Sequence, residues 1–268
     1  MRVGFIGDVV GRPGRSIIKE NLCKFRDIYN IDFVIANCEN ASHGFGLSTK
    51  NAKELLNAGI DVITGGNHSW DKKDIMEFMK NDDRVLRPIN YPDEVAGSGI
   101  FVKDSLAIIN AMGNYGIGCI TNPFTEIKSI VDRLKSLEIK NIVVDFHAES
   151  TAEKRAMYLM LQDRIAALLG THTHIGTDDL EIANGSLYVS DVGLTGCRDG
   201  VIGMRLKEPL ERFTLGISDR FEVPKECKKI LQMVVFDLDD GRATNGFKLK
   251  MYDNLDRISE TKALVSEG

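Results

Sequence analysis

Residues 2–40, RVGFIGDVVGRPGRSIIKENLCKFRDIYNIDFVIANCEN, decide the fold. Arg2 to Ile6 is a short apolar run, Pro13 to Ile28 carries apolar residues at helical spacing, and Phe33 to Ala36 is apolar again. A strand, a crossover helix and a second strand make the unit from which parallel sheets are built, so the chain reads as α/β. Outward from that unit the alternation continues. Ser48 to Asn57 predicts a helix, Asp61 to Thr64 a third strand and Lys72 to Lys80 another helix, while Ile100 to Ile109 predicts a strand pair broken near Lys103-Asp104. Pro123 to Leu137 is helical with Asn122 as its N-cap and proline in the first position. Asn141 to Phe146 is nearly all apolar, as strands buried on both faces are. Ser150-Thr-Ala-Glu153 matches a capping box opening a helix to about Met160, and Ile165 to Leu169 leads into Gly170-Thr-His-Thr-His174. Asn184-Gly185 is a type I′ hairpin signal. Beyond it, Ile230 to Leu238 and Phe247 to Tyr252 flank the turn Asp239-Asp240-Gly241 as an antiparallel pair. Residues 1–253 are predicted to form the main domain, with a small cap within about 197–225 and a polar tail at 254–268.

Composition bounds the function. The chain has 268 residues, 43% hydrophobic and 27% charged, enough for a substantial core. A net charge of −5 lacks the basic signature of a duplex nucleic-acid binder, though it leaves room for a small anionic substrate. No run approaches the roughly 20 apolar residues of a membrane span, and Asp8 interrupts the first apolar stretch too early for a secretion signal. Cys23, Cys38, Cys119, Cys197 and Cys227 are odd in number and contain no C-x-x-C pair, which indicates neither a disulfide framework nor a thiolate zinc site. They read as reduced small hydrophobes in a cytoplasmic protein, with Cys38 near a site. Homo-oligomerisation is left open.

All five histidines, His43, His68, His147, His172 and His174, fall at or just after predicted C-terminal ends of strands, where ligand sites of open α/β sheets collect. Asp8 follows the first strand, Glu39-Asn40 the second and Asn67-His68 the third. If Thr171 to His174 stays extended, the two imidazoles two residues apart face one side and reach ions a few ångströms apart. Mixed imidazole, carboxylate and amide donors suit divalent iron, manganese or zinc better than magnesium, so a dinuclear transition-metal site is expected. His43 reads either as a donor or as part of the turn Ser42-His43-Gly44-Phe45-Gly46. Asp71 and Asp191 read as turn-formers or as acceptors behind the ligands. The glycines from Gly7 to Gly14 are spaced wrongly for G-x-G-x-x-G or a Walker loop, and Asp8 there would repel a pyrophosphate. No G-x-S-x-G elbow exists.

Gly7-Asp8, Asn37-Cys-Glu39-Asn40, Gly66-Asn67-His68, Phe146-His147-Ala148-Glu149 and Gly170-Thr-His172-Thr-His174, in this order, resemble the calcineurin-like metallophosphoesterases. More narrowly they resemble the YmdB-like bacterial branch, from Gly-Asp-Val-Val-Gly through Asn-His-x-Trp-Asp to Thr-His-Thr-His and Asp-Val-Gly, up to about Tyr252. Two positions depart from the broad pattern: Val10 stands where Asp-x-His has its histidine, which nominates Asn40 as the replacement, and Ser69 stands where an acidic residue usually follows His68.

The resemblance implies a layered sandwich of mixed β-sheets flanked by helices. It implies two metal ions, iron first and manganese second, with Asp8, Glu39, Asn40 and His174 on one, Glu39, Asn67, His147 and His172 on the other, and Glu39 bridging. Attack by a bridging hydroxide would hydrolyse a cyclic nucleotide such as 2′,3′-cyclic or 3′,5′-cyclic AMP, with His68 as general acid. The alternatives are a phosphomonoesterase or RNA nuclease on the same site, or a non-catalytic regulator that senses metal or nucleotide.

Overall fold

The computed structural model of the chain describes residues 1–118, 121–252 and 257–266; Cys119 lies outside them. In chain order the elements are β1 (Arg2–Ile6), α1 (Gly11–Tyr29), β2 (Phe33–Asn37), α2 (Thr49–Asn57), β3 (Val62–Thr64), α3 (Ile75–Asn81), β4 (Ile100–Lys103) and β5 (Leu106–Met112). They continue with α4 (Pro123–Ser136), β6 (Asn141–His147), α5 (Thr151–Leu161), β7 (Ala167–Thr171), β8 (Glu181–Ala183), β9 (Ser186–Val189) and β10 (Gly196–Cys197). Last come α6 (Lys207–Leu215), β11 (Lys229–Asp239), β12 (Arg242–Tyr252), β13 (Arg257–Lys262) and β14 (Leu264–Ser266).

Two mixed sheets stack face to face. One runs β13-β12-β11-β1-β2-β3 with β10 beside β11, and the other β14-β8-β9-β7-β6-β5-β4. The strands that carry the site, β1-β2-β3 and β5-β6-β7, are parallel within their sheets. Period-2 alternation explains the layering: Val3, Phe5, Phe33 and Ile35 meet Ile108, Val143 and Leu169 in the core between the sheets. From the same strands Ile6, Val34 and Ala36 point the other way, onto Ile17, Ile18, Leu22 and Phe25 of α1. Ile142, Val144 and Phe146 of β6 likewise meet Val131 of α4 and Met157, Tyr158 and Leu161 of α5. Each such large side chain contributes about 1.5–3 kcal/mol by leaving water. The result is a four-layered helix–sheet–sheet–helix sandwich.

Local signals explain most boundaries. Asn122 caps α4 by accepting from Phe124 N at 2.9 Å, and Ser150 caps α5 by accepting from Glu153 N. Only half of the expected capping box forms at α5, because the Glu153 carboxylate turns outward to accept from Asn114 N at 2.7 Å and so ties down the loop after β5. Asn184 and Gly185 both take positive φ, as a type I′ turn needs. α3 begins at Ile75, later than expected, after a series of turns.

Within the stretch expected as a polar tail, the described residues 257–266 form two paired strands. β13 pairs antiparallel with β12 from Phe247↔Lys262 to Tyr252↔Arg257, and β14 pairs parallel with β8. Ile258 packs on the core beneath α1, while charged residues such as Glu260 and Lys262 stay in solvent, which suits strands at a sheet margin. Between β10 and β11, residues 198–228 carry α6 and otherwise irregular chain. Among the described residues no helix is long and apolar enough to cross a membrane.

Candidate metal centre

Five strand ends deliver the donors. β1 ends two residues before Asp8, β2 two before Glu39, β3 three before Asn67, β6 on His147 itself and β7 one before His172. Parallel strands have their C-terminal ends on one edge, and stacking the sheets brings both edges together. Asp8, Glu39, Asn40, His147 and His174 are buried; Asn67 and His172 are partly so.

The donors form two adjoining groups. Around His147 Nε2 stand Asn67 Oδ1 at 3.0 Å, Glu39 Oε1 at 3.1 Å and His172 Nδ1 at 3.0 Å. Neighbouring ligands on a cation with bonds of about 2.1 Å are about 3.0 Å apart at right angles, so the spacing is that of a coordination shell. In the second group His174 Nε2 lies 3.3 Å from the Asn40 amide and 3.8 Å from Asp8 Oδ1, and the same amide lies 3.0 Å from Glu39 Oε1. Glu39 belongs to both.

Hydrogen bonds outside the cluster set the imidazole tautomers. The Thr171 hydroxyl donates its one proton to Asp145 Oδ1 at 2.7 Å, so it accepts from His147 Nδ1 at 3.0 Å and leaves the Nε2 lone pair facing the cluster. His174 Nδ1 donates to the Ile202 carbonyl at 2.8 Å, which leaves its Nε2 lone pair. His172 Nε2 meets the Glu149 carboxylate at 3.1 Å, which leaves Nδ1. Three lone pairs and the oxygens of Asn67 and Glu39 therefore converge. Asn40 Oδ1 is buried with no hydrogen-bond partner among the described residues, and exchanging the amide's nitrogen and oxygen would turn an oxygen toward Glu39 and His174. A cradle of acceptors with an orphaned amide oxygen fits cations. Gly66 keeps it open, since a Cβ there would lie 2.3 Å from His147 Nε2 and 2.5 Å from Glu39 Oε2.

Electrostatics agree with that donor set. Burial works against a charged His147, yet Glu39, Asp8 and Asp145 push it up to about 9. Burial and the neighbouring His147 press His172 down to about 3. Burial likewise lifts Asp8 to about 6, with Asp191 and Glu39 adding to it and His174 and His147 opposing. Glu39, equally buried, goes down to about 2 because His147 is 3.1 Å away from it and 4.0 Å from Asp8. A divalent cation would neutralise these carboxylates and replace the proton on His147.

The structure thus brings together all seven residues expected as ligands, and places His68 beside them with its backbone N–H donating to Glu39 Oε2 at 2.9 Å. One expectation is corrected. The Thr171 to His174 segment is not extended: β7 stops at Thr171, and His172 (φ 103°) and His174 (φ 64°) turn left-handed, so the backbone bend aims the rings. His68 has an acidic partner despite Ser69: Asp71, expected as a turn-former or an acceptor, has its Oδ2 2.9 Å from the His68 Nδ1. His43 stays apart, exposed at φ 62° and lining a cleft of about 600 Å³ with Arg12, Lys72, Arg220, Phe221 and Lys225. Cys38 is buried near Asp8, and both conditions push its thiol up.

Of the residues behind the expected ligands, sequence reasoning named Asp71 and Asp191 and missed Asp145. Asp145 accepts from Asn37 at 3.1 Å, from Thr171 and, at a very short distance, from Thr64. Asp191 accepts from Lys154 at 3.0 Å and from both the backbone and the hydroxyl of Thr173, the residue between His172 and His174. A carboxylate inside the otherwise apolar run Val143-Val144-Asp145-Phe146 was the available signal for the first of these.

Comparison with known proteins fits this geometry. The chain is 41% identical over 245 residues to the 2′,3′-cyclic-nucleotide 2′-phosphodiesterase of Bacillus subtilis, covering 90% of this chain and 92% of that protein. Its structure is similar to that of a phosphatase from Mycoplasma pneumoniae, with a TM-score of 0.87 and 34% identity over 94% of this chain and 93% of the other. A purple acid phosphatase from yellow lupin shares the fold alone, at a TM-score of 0.51 and 10% identity, with all of this chain matching 54% of that one. Residues 5–248 match the family described as YmdB-like protein, and the chain belongs to that family, on a calcineurin-like metallophosphoesterase fold.

Proposed function

We propose that the chain is a phosphodiesterase that hydrolyses 2′,3′-cyclic nucleotides at a dinuclear centre of iron or, second, manganese. The observation that carries this reading is the convergence of seven donors into two groups sharing Glu39, together with the activity named for the Bacillus subtilis relative. In this assignment Asp8, Glu39, Asn40 and His174 hold one ion, and Glu39, Asn67, His147 and His172 the other. Bound metals would polarise the phosphodiester and supply an activated water near neutral pH. The protein's own groups do the rest. Thr171, Asp145 and the Ile202 carbonyl keep His147 and His174 in the tautomers that present a lone pair. His68, with Nδ1 on Asp71, protonates the departing 2′-oxygen from Nε2 as the P–O2′ bond breaks, leaving a 3′-phosphate and a free 2′-hydroxyl. The same centre would act on 3′,5′-cyclic AMP.

One observation favours a second reading. The cleft lined by Arg12, Lys72, Arg220 and Lys225 offers positive charge to further phosphates, as an oligoribonucleotide would carry, although the chain's net charge of −5 works against long polymers. Metal-replete protein assayed on 2′,3′-cyclic AMP, 3′,5′-cyclic AMP, p-nitrophenyl phosphate and a short oligoribonucleotide separates these readings. Highest kcat/KM on 2′,3′-cyclic AMP, abolished by chelation, supports the proposal. Preference for the monoester or the oligonucleotide overturns it, and nucleotide binding without turnover would make the protein a sensor.

A further inference from the structure

Away from that centre, Cys197, Asp199 and Cys227 bring two thiol sulfurs and a carboxylate oxygen within 4.8 Å of one another. Cys197 ends β10, and its neighbour Lys229 begins β11 in the antiparallel register Cys197↔Lys229. The pairing runs on past the strand ends, with Arg198 N donating to Lys228 O at 2.8 Å and Lys228 N donating to Asp199 Oδ1 at 3.1 Å. Alternation along this ladder puts residues 197, 199 and 227 on one face. Their spacing in sequence hides this, because the two cysteines stand at opposite ends of a segment of some thirty residues.

We propose that these three side chains form a separate site for a thiophilic divalent cation of the zinc class, with the fourth position taken by water. Zinc bonds of about 2.3 Å to sulfur and about 2.0–2.2 Å to oxygen set tetrahedral edges of about 3.5–3.8 Å, and Cys197 Sγ lies 3.2 Å from Asp199 Oδ1. Closing the set requires shifts of under about an ångström. Cys197 is buried, Cys227 partly so and Asp199 exposed, which leaves one side of the tetrahedron to solvent. Burial, with Cys227 and Asp199 adding their effects, holds the Cys197 thiol protonated. A cation supplies the charge that reverses this, releasing one proton from each thiol on binding. The catalytic donor set contains no sulfur, so a thiophilic ion is drawn to this cluster.

The site also has a place in the fold. It closes the base of residues 198–226, the segment whose Ile202 carbonyl fixes His174 and whose residues from Arg220 to Lys225 line the cleft. A cation there staples both ends of that segment to the sheet that carries Asp8 and Glu39.

The test is titration of the full, reduced chain with cobalt(II) as the probe, reading the near-ultraviolet thiolate-to-metal absorption, a signal that oxygen and imidazole ligands cannot give. One equivalent should produce the band in the wild type and in Glu39→Gln, with the band lost in Cys197→Ser and in Cys227→Ser and kept in Cys23→Ser. Asp199→Asn should weaken the affinity at least tenfold while keeping the band. Circular dichroism confirms that each variant is folded. No band in a wild type whose thiols titrate as free, or a band that survives Cys197→Ser, overturns the proposal. Loss of two hydrogen atoms by mass in the protein as isolated, mapped to a Cys197–Cys227 disulfide, overturns it in favour of a redox clip.

Discussion

The Asp71 carboxylate stands 2.9 Å from Nδ1 of His68, three residues back along the same turn. The pair is partly exposed, with side chains 31% and 42% accessible, and the ring also meets the edge of Phe45 at 5.0 Å between centroids. A carboxylate on Nδ1 holds the imidazole so that Nε2 is the atom that exchanges protons, the arrangement a general acid needs. Ser69 is engaged elsewhere, its hydroxyl donating to the Gly66 carbonyl at 2.8 Å and accepting from Gly66 N, which shapes the glycine turn over the centre.

If His68 protonates the leaving oxygen, His68→Ala should keep both metals and lose about 10²–10⁴-fold in turnover of a cyclic nucleotide. The loss should shrink for a nitrophenyl ester, whose leaving group needs no proton. Asp71→Asn should cost on the order of tenfold, because the amide oxygen can still accept but carries no charge. Equal losses on both substrates would assign His68 a role in binding charge instead.

Glu39 belongs to both donor groups, so Glu39→Gln should remove most joint metal occupancy. A neutral amide leaves two adjacent cations repelling each other without the intervening charge. Elemental analysis after gel filtration is the check, and two metals per chain at normal affinity would sink the bridging assignment.

Gly66→Ala should act on the centre while sparing the fold. The added methyl would sit 2.3 Å from the His147 ring and 2.5 Å from Glu39 Oε2, so one of those side chains must move. Metal content and activity should both fall while the circular dichroism spectrum stays that of the wild type. A fully loaded, fully active variant would show that the cradle has more room than these distances allow.

The fold was legible where the chain repeats a simple period. β1, β2, β6 and the Asn184-Gly185 hairpin announce themselves through apolar runs and turn residues, and the donors follow because they sit at strand ends. What stayed hidden depends on pairing across long separations. Asp145 orients His147 through Thr171, which lies 24 residues beyond that histidine. The terminal strands β13 and β14 lack strong apolar patterning because sheet margins need little, so polarity alone read as a tail. The left-handed bends at His172 and His174 carry no glycine to mark them.

Lys154 is fully buried, and its ammonium lies 3.0 Å from Asp191 Oδ2. Because the same oxygen also receives Thr173 N and its hydroxyl, the pair braces the loop that carries His172 and His174. Lys154→Met should destabilise the protein by about 3–5 kcal/mol, since the carboxylate is left in the core without its cation. Adding Asp191→Asn should recover part of that loss. Urea unfolding measures both, and additive losses in the double variant would mean that the two side chains act independently.

Lys248 gives the pH prediction. Its ammonium donates to the carbonyls of Thr177 and Asp191 at 3.3 and 3.2 Å, and burial, reinforced by Lys250, lowers it from 10.5 to about 8 against the pull of Asp191, Asp178 and Asp179. A lysine depressed in the folded state binds fewer protons there than in the unfolded chain over the whole interval between the two values. Stability therefore rises with pH through that interval, and the cost of holding the charge is present in full below about 8. The gap corresponds to roughly 3 kcal/mol. Buried tyrosines such as Tyr188, which burial raises to about 12, pull the other way at high pH, so wild-type stability alone is ambiguous. The difference between wild type and Lys248→Met cancels them. That difference, measured by urea unfolding, should move in favour of the wild type between pH 8 and pH 10 and stay level between pH 6 and pH 7; a flat profile throughout would mean that Lys248 keeps its ordinary affinity for protons in the folded chain.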